Sequence, residues 1–214
     1  MNRRIVIFGT AAVAIAGFGA AAWYVTRPVP SAAPPPLADA VPLVRAHSPI
    51  LGPPNAPVTI VEFFDPACEA CRAFHPIVKQ IMATFPGKVR VVLRYTPFHE
   101  GSDEAVRILE TARIQGKFEP VLEALYATQP AWAAHGAPRL DVAWNAAGQA
   151  GLNLDRAKSD RMLPGIVAVL NQDRGDLATI GIRQTPTFFV NGKRLTDFGP
   201  RQLMDMVRAE VGGS

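Results

Sequence analysis

Cysteine is nearly absent: the 214 residues hold two, Cys68 and Cys71, with Glu69 and Ala70 between them. Two thiols cannot form the several bridges of a disulfide-stapled domain, nor supply the four ligands of a zinc ribbon. Dense runs of lysine or arginine are also missing. The 22 basic and 18 acidic residues leave a net charge of +4, scattered along the chain. This argues against nucleic-acid binding and for an ordinary solvated surface. No internal repeat and no separate dimerisation domain is apparent. What is there is a chain 49% hydrophobic, enough for one domain with a substantial core once the ends are set aside.

The first segment stands apart. Arg3 and Arg4 precede an apolar stretch, 5–25, which Arg27 and Pro28 close. Basic residues followed by an apolar run mark an export signal. At about 1.5 Å per residue the run is long enough to span a bilayer. Trp23 and Tyr24 stand at its far end, where interfacial aromatics belong. An uncleaved signal anchor over 1–27 is expected, with Arg3 and Arg4 on the cytoplasmic side; a removed signal peptide cut near Ala20-Ala21-Ala22 is the competing reading. Residues 28–48 form a Pro/Ala-rich linker, with Pro28, Pro30, Pro34, Pro35 and Pro36. That composition favours a semi-rigid polyproline II spacer, a disordered tether being the alternative. The domain, 49–214, is therefore expected on the periplasmic side of the inner membrane, held by a single pass. Thiols there tend to be oxidised, so a lone exported dithiol argues against a passive structural feature.

Within the domain, Val58–Phe64 is β-branched and aromatic and predicts a buried strand, with Glu62 standing out inside it. Residues 67–84 predict a helix stopped by Pro86-Gly87. Val89–Tyr95 predicts a second strand, and the β-α-β order favours a parallel pair. A helical insertion follows over about 100–180. Ser102 is expected to cap a helix closed by Gly116, and Phe118, Val121, Leu122 and Leu125 repeat the helical spacing. Further helices are expected over 139–150 and 155–162, the latter interrupted at Pro164. Another carries Ile166, Val169, Leu170 and Leu177 and ends near Gly181. Thr187–Val190 then leads into Asn191-Gly192, a two-residue hairpin signal. Residues 201–211 predict a final amphipathic helix.

The Cys-x-x-Cys between strand and helix, joined far downstream by Gln184-Thr185-Pro186-Thr187-Phe188-Phe189-Val190-Asn191-Gly192, resembles a thioredoxin-fold disulfide oxidoreductase of the DsbA-like type. The entry from Leu51-Gly52-Pro53-Pro54 to Val61-Glu62-Phe63 is similar too, and the resemblance covers about 51–211. It implies an α/β thioredoxin fold, a central mixed sheet with a helical insertion between its βαβ and ββα halves. It also implies roles. Cys68 would be the nucleophilic, more exposed thiol and Cys71 the buried resolving one. Pro186 would be a cis-proline facing the dithiol, with Thr185 before it offering backbone groups to a substrate chain. Glu62 would be a buried acid beneath the site, and Pro76 a kink in the active-site helix. No dissociable cofactor is implied, the Cys68–Cys71 disulfide being the redox group. Implied partners are unfolded or reduced exported proteins and a DsbB-like or DsbD-like membrane protein.

Only a thiolate exchanges with a disulfide, and a helix N-terminus favours an anion there. Glu69 works the other way by like-charge repulsion, so Cys68 is expected to be less acidic than in relatives with Cys-Pro-His-Cys. An inert bridge is the bland alternative, but it would close too small a loop to stabilise much. Glu62 is read as a proton acceptor for Cys71, or as an edge-strand glutamate facing solvent. Other classes remain open: a disulfide reductase or isomerase using the same site, or a non-catalytic copper-handling or chaperone module binding metal through Cys68, Cys71 and His75. His47 is read as solvated, His75 otherwise as packing beside Pro76. His99 and His135 are placed in loops without a role.

Overall fold

A computed structural model describes residues 42–213. The expected anchor over 1–27 and the linker up to 41 lie outside the described residues. Among the described residues no helix is long and apolar enough to cross a membrane.

The sheet is built around β2 (Val58–Phe64), which pairs in parallel with β3 (Val89–Tyr95) and antiparallel with β4 (Thr187–Val190). Two short strands complete it, β1 (Ile50–Leu51) outside β3 and β5 (Lys193–Arg194) outside β4, giving the order β1-β3-β2-β4-β5. Successive side chains of a strand face opposite sides. Val58, Ile60 and Phe64 therefore share one face with Phe188, Cys71, Phe74 and Val78, while Val61 and Phe63 pack on the other with Leu177, Ile180 and Phe189. Each large apolar side chain so buried contributes roughly 1.5–3 kcal/mol.

Helix α1 (Glu69–Thr84) follows β2 and buries Cys71, Phe74, Val78 and Ile81 against the first face. The insertion comprises α2 (Ser102–Ile114), α3 (Phe118–Trp132), α4 (Leu140–Gln149) and α5 (Leu154–Asp160). It leads into α6 (Pro164–Ile180), which covers the second face, and α7 (Pro200–Gly212) returns to the first beside α1. This is the mixed sheet with a helical insertion expected from the sequence, with differences of detail. Pro164 does not interrupt a helix but starts α6 at its first turn, where a missing N–H costs nothing. Ser102 does not cap α2. Gly101 holds the N-cap position at φ 83°, and the Ser102 hydroxyl is turned to Asp65 instead. The hairpin after β4 has positive φ at both Asn191 and Gly192, as a tight primed turn requires.

The chain ahead of β1 is fastened to the second face. Arg94, fully buried on β3, binds Asp173 through Nε at 2.9 Å, pairs with Asp176, and donates from Nη1 to the carbonyls of Pro42 and Leu43. Arg45 adds a two-pronged pair with Asp176 at 2.7 and 2.9 Å. His47, read from the sequence as solvated, sits with Nε2 2.8 Å from Asp173 Oδ1.

Candidate functional site

The β2–α1 junction makes the site. Cys68 is the N-cap of α1, with extended backbone at φ −75° and ψ 122°, so the helix begins one residue after it and not at 67. Its sulfur lies at the positive end of the helix dipole, where negative charge is favoured. Cys71 is one turn further and faces inward; its Sγ accepts from the Asp65 N–H at 3.4 Å. Both thiols are free. Cys68 keeps 6% of its surface and Cys71 none, so the expected difference in exposure is small.

The two sulfurs differ sharply in proton affinity. A hydrogen bond from the Cys71 thiol, helped by the Thr185 side chain and the backbone N–H groups of Cys71 and Ala70, outweighs burial and lowers Cys68 to about 5. Cys71 is pushed well above the ordinary thiol range by burial, and then by its bond to Cys68 and the charge of Glu62. At neutral pH the pair is one outer thiolate and one inner thiol. The repulsion expected from Glu69 is not among the main influences on Cys68. Its carboxylate turns outward, with Oε1 3.0 Å from His135 Nε2.

The loop before β4 closes over the sulfur. The Thr185–Pro186 peptide is cis, Pro186 is buried, and Cys68 Sγ lies 3.3 Å from the Thr185 carbonyl oxygen, to which its protonated form donates. A groove of about 370 Å³ runs beside Pro186, lined by Gln184, Thr187, Phe188, Thr196 and Phe198 among others. Beneath the dithiol is Glu62, 3% exposed, flanked in the sheet by Leu93 and Phe188. Because β2 is the central strand, the edge-strand, solvent-facing reading of Glu62 is excluded. Burial, and then the charge on Cys68, raise its pKa to about 8. Pro76 lies within α1, as placed from the sequence.

Three groups without a role in the sequence reading hold the site in shape. Asp65, fully buried, accepts from the N–H groups of Ala67, Phe98 and His99 at 2.8, 2.7 and 2.9 Å, from the Ser102 hydroxyl, and contacts His99 Nδ1 at 2.7 Å. It ties the active-site turn to the start of the insertion. Gln129 on α3 donates from Nε2 to the carbonyls of Pro66 and Cys68 at 2.8 and 3.0 Å. His99 stands between Asp65 and His135, the two imidazole centroids 5.9 Å apart. A polar residue directly after a buried strand, three before Cys68, was the one signal in the sequence for Asp65.

His75 does not complete a sulfur site. Its Nε2 is 3.0 Å from Glu123 Oε1 and its ring lies against Tyr126. Among the described residues no group of three or more His, Cys, Asp or Glu side chains is placed to hold a metal ion.

Known proteins are similar to this chain in sequence and fold. A family profile described as thioredoxin matches residues 45–208. A thioredoxin-like oxidoreductase from Silicibacter pomeroyi is 27% identical, with a TM-score of 0.68 over 79% of this chain and 95% of its own. BdbD from Bacillus subtilis, in its oxidised form, is 25% identical, with a TM-score of 0.69 over 78% of this chain and 94% of its own. A Na(+)/H(+) antiporter NhaA from Herminiimonas arsenicoxydans is 32% identical over 146 residues, which are 68% of this chain and 22% of the antiporter. The chain spans about a quarter of the length of the curated relatives it matches.

Proposed function

This chain belongs to the thioredoxin family and has the thioredoxin fold, and on that premise we propose that it is an extracytoplasmic thiol-disulfide oxidoreductase that forms disulfides in exported proteins. The observation that carries the reading is the split between the two thiols, Cys68 lowered to about 5 and Cys71 raised, beneath the Thr185–Pro186 loop.

The oxidised protein begins with a Cys68–Cys71 bond. A substrate thiolate attacks Cys68 Sγ; that S–S bond breaks and Cys71 leaves as a thiolate. Cys71 holds its proton tightly, and Glu62, protonated up to about pH 8, is the acid beneath it that supplies one. A second substrate thiolate attacks the substrate sulfur of the mixed disulfide. Cys68 leaves as a stable thiolate, and two electrons have passed from substrate to protein. A stable leaving thiolate favours the reduced protein and therefore the oxidant direction. Thr185 and the groove beside Pro186 supply backbone and apolar contacts for the substrate chain.

No dissociable cofactor takes part in this scheme. A DsbB-like membrane protein would restore the disulfide, or a DsbD-like one would drive the opposite flow. The antiporter named among the relatives is a membrane protein many times longer than the matched segment, which supports placing this domain beside a membrane partner, anchored by 1–27 in the inner membrane with the dithiol in the periplasm. Reductase or isomerase work by the same site is the second reading, favoured by the absence of a cation next to Cys68 within the Cys-x-x-Cys itself.

Glutathione titration of the Cys68–Cys71 couple decides between them. A potential near about −120 mV supports the oxidant, and one near about −270 mV a reductant. No acceleration of insulin precipitation would remove both in favour of a binding module.

A further inference from the structure

Two histidines from separate loops converge on the Cys68–Glu69 turn. His99, between β3 and α2, is fixed by Asp65, whose carbonyl in turn receives the Cys68 N–H at 3.1 Å. His135, between α3 and α4, reaches Glu69 at 3.0 Å. Their rings lie 5.9 Å apart. The helix N-cap places the Cys68 sulfur at the same turn. We propose that His99 is a positioning residue for the exchange reaction: its imidazolium is the counter-charge that appears with the Cys68 thiolate, and proton uptake by His99 is coupled to reduction of the disulfide. The proposal rests on the oxidoreductase reading and adds, to the hydrogen bonds that lower Cys68, a charge that follows its redox state.

The groups facing His99 are Asp65 from the β2–α1 turn, Cys68 and Glu69 from the start of α1, and His135 from the α3–α4 loop. Partial burial works against a charged imidazole, but the bond to Asp65 and the charges of Asp65, Cys68 and Glu69 outweigh it and raise its pKa. His135 engages Glu69, the acid that follows Cys68 in the chain, and so weakens its competition for the site. Reduction by a substrate dithiol brings two electrons and one proton to the disulfide, leaving a thiolate at Cys68 and a thiol at Cys71. The new negative charge favours protonation of a neighbouring base. A neutral His99 then takes a second proton, and its pKa is higher in the reduced protein than in the oxidised one. Below the oxidised-state pKa His99 is charged in both forms and no extra proton is taken. Above the reduced-state pKa it is neutral in both.

The test is an NMR titration of the imidazole Cε1 signals in the full chain, oxidised with diamide and reduced with dithiothreitol. The chain has four histidines, and the His99 signal is the one missing from His99→Asn. The asparagine amide keeps an N–H donor for Asp65 while removing the charge. The expected result is a rise of about half a pH unit or more in the His99 midpoint on reduction. In reduced His99→Asn, the Cys68 thiolate absorbance should titrate at higher pH, while the thermal midpoint of the oxidised form is kept. His75→Asn, whose ring is paired with Glu123, should leave the Cys68 titration where it is. A His99 midpoint equal in the two redox states, or a Cys68 titration unmoved in His99→Asn, overturns the proposal. Glutathione exchange measured on the same samples decides the oxidoreductase reading separately, since the redox states are prepared by reagents that do not depend on it.

Discussion

Cys68 Sγ and the carbonyl oxygen of Thr185 lie 3.3 Å apart although 117 positions separate them in the chain. The contact joins the first half of the sheet to the second across the dithiol, and it puts a residue from the far half within reach of the reacting sulfur. Thr185→Val removes the side-chain hydroxyl that favours the thiolate and keeps the backbone carbonyl. The Cys68 pKa should rise from about 5, by on the order of one unit. Thiolate absorbance at 240 nm reads this directly, and an unshifted curve would exclude Thr185 from the anion's support.

Cys68 itself should be reactive far below neutral pH. Iodoacetamide labelling of the reduced protein should climb about tenfold per pH unit up to the midpoint near 5 and then level off. The sign for stability follows from the depressed pKa. The contribution is full above the unfolded thiol's pKa of about 8.5 and is lost as pH falls through about 5. The reduced form should therefore lose stability relative to the oxidised form between pH 9 and pH 4 in paired urea titrations. Parallel pH profiles for the two forms would contradict the assignment.

Glu62 carries the opposite sign. Its pKa is raised to about 8, so its contribution is complete below the unfolded value of about 4.3 and is lost as pH rises through 8. Glu62→Gln keeps the shape without the charge and should make the reduced protein more stable at pH 7 by roughly 1–3 kcal/mol. The same variant should slow formation of the mixed disulfide, where Cys71 takes up a proton, and its resolution by Cys71 in the reverse reaction, each by about tenfold or more. Quenched-flow trapping of that species is the measurement. A stable variant with both steps unchanged would leave Glu62 without a part in proton transfer.

Asp65→Ala should be the most damaging of the polar changes. It strands the N–H groups of Ala67, Phe98 and His99 and the Ser102 hydroxyl around an empty centre. A loss of about 3–5 kcal/mol is expected from the oxidised protein, measured in urea. Asp65→Asn, which keeps a carbonyl acceptor, should lose less. Equal losses would mean the charge, and not the hydrogen bonds, holds the turn.

Much of the framework is legible in the amino-acid sequence. The limits of Val58–Phe64 and Val89–Tyr95 follow from unbroken β-branched and aromatic runs, and the hairpin from Asn191-Gly192. Cys68 and Cys71 are conspicuous because they have no other cysteine for company. β1 was missed because two residues, Ile50 and Leu51, carry no period; only their pairing with Val91 and Val92 makes them a strand. Ser102 looked like a cap because its residue type suits one, but a buried carboxylate 37 positions earlier claims its hydroxyl. Asp65 and Gln129 are missed, and His99 is left without a role, for the same reason. Their partners are distant in sequence, and a lone polar residue gives no local sign of which distant backbone it will satisfy.

The clamp of Arg94, Arg45 and His47 on Asp173 and Asp176 has a mechanical side. Any tug transmitted along the polypeptide from before Pro42 meets α6 and the back of β3 first. The dithiol and its helix lie on the opposite face of the sheet. Load is thus diverted into an ionic rivet, and the reactive turn is shielded from it.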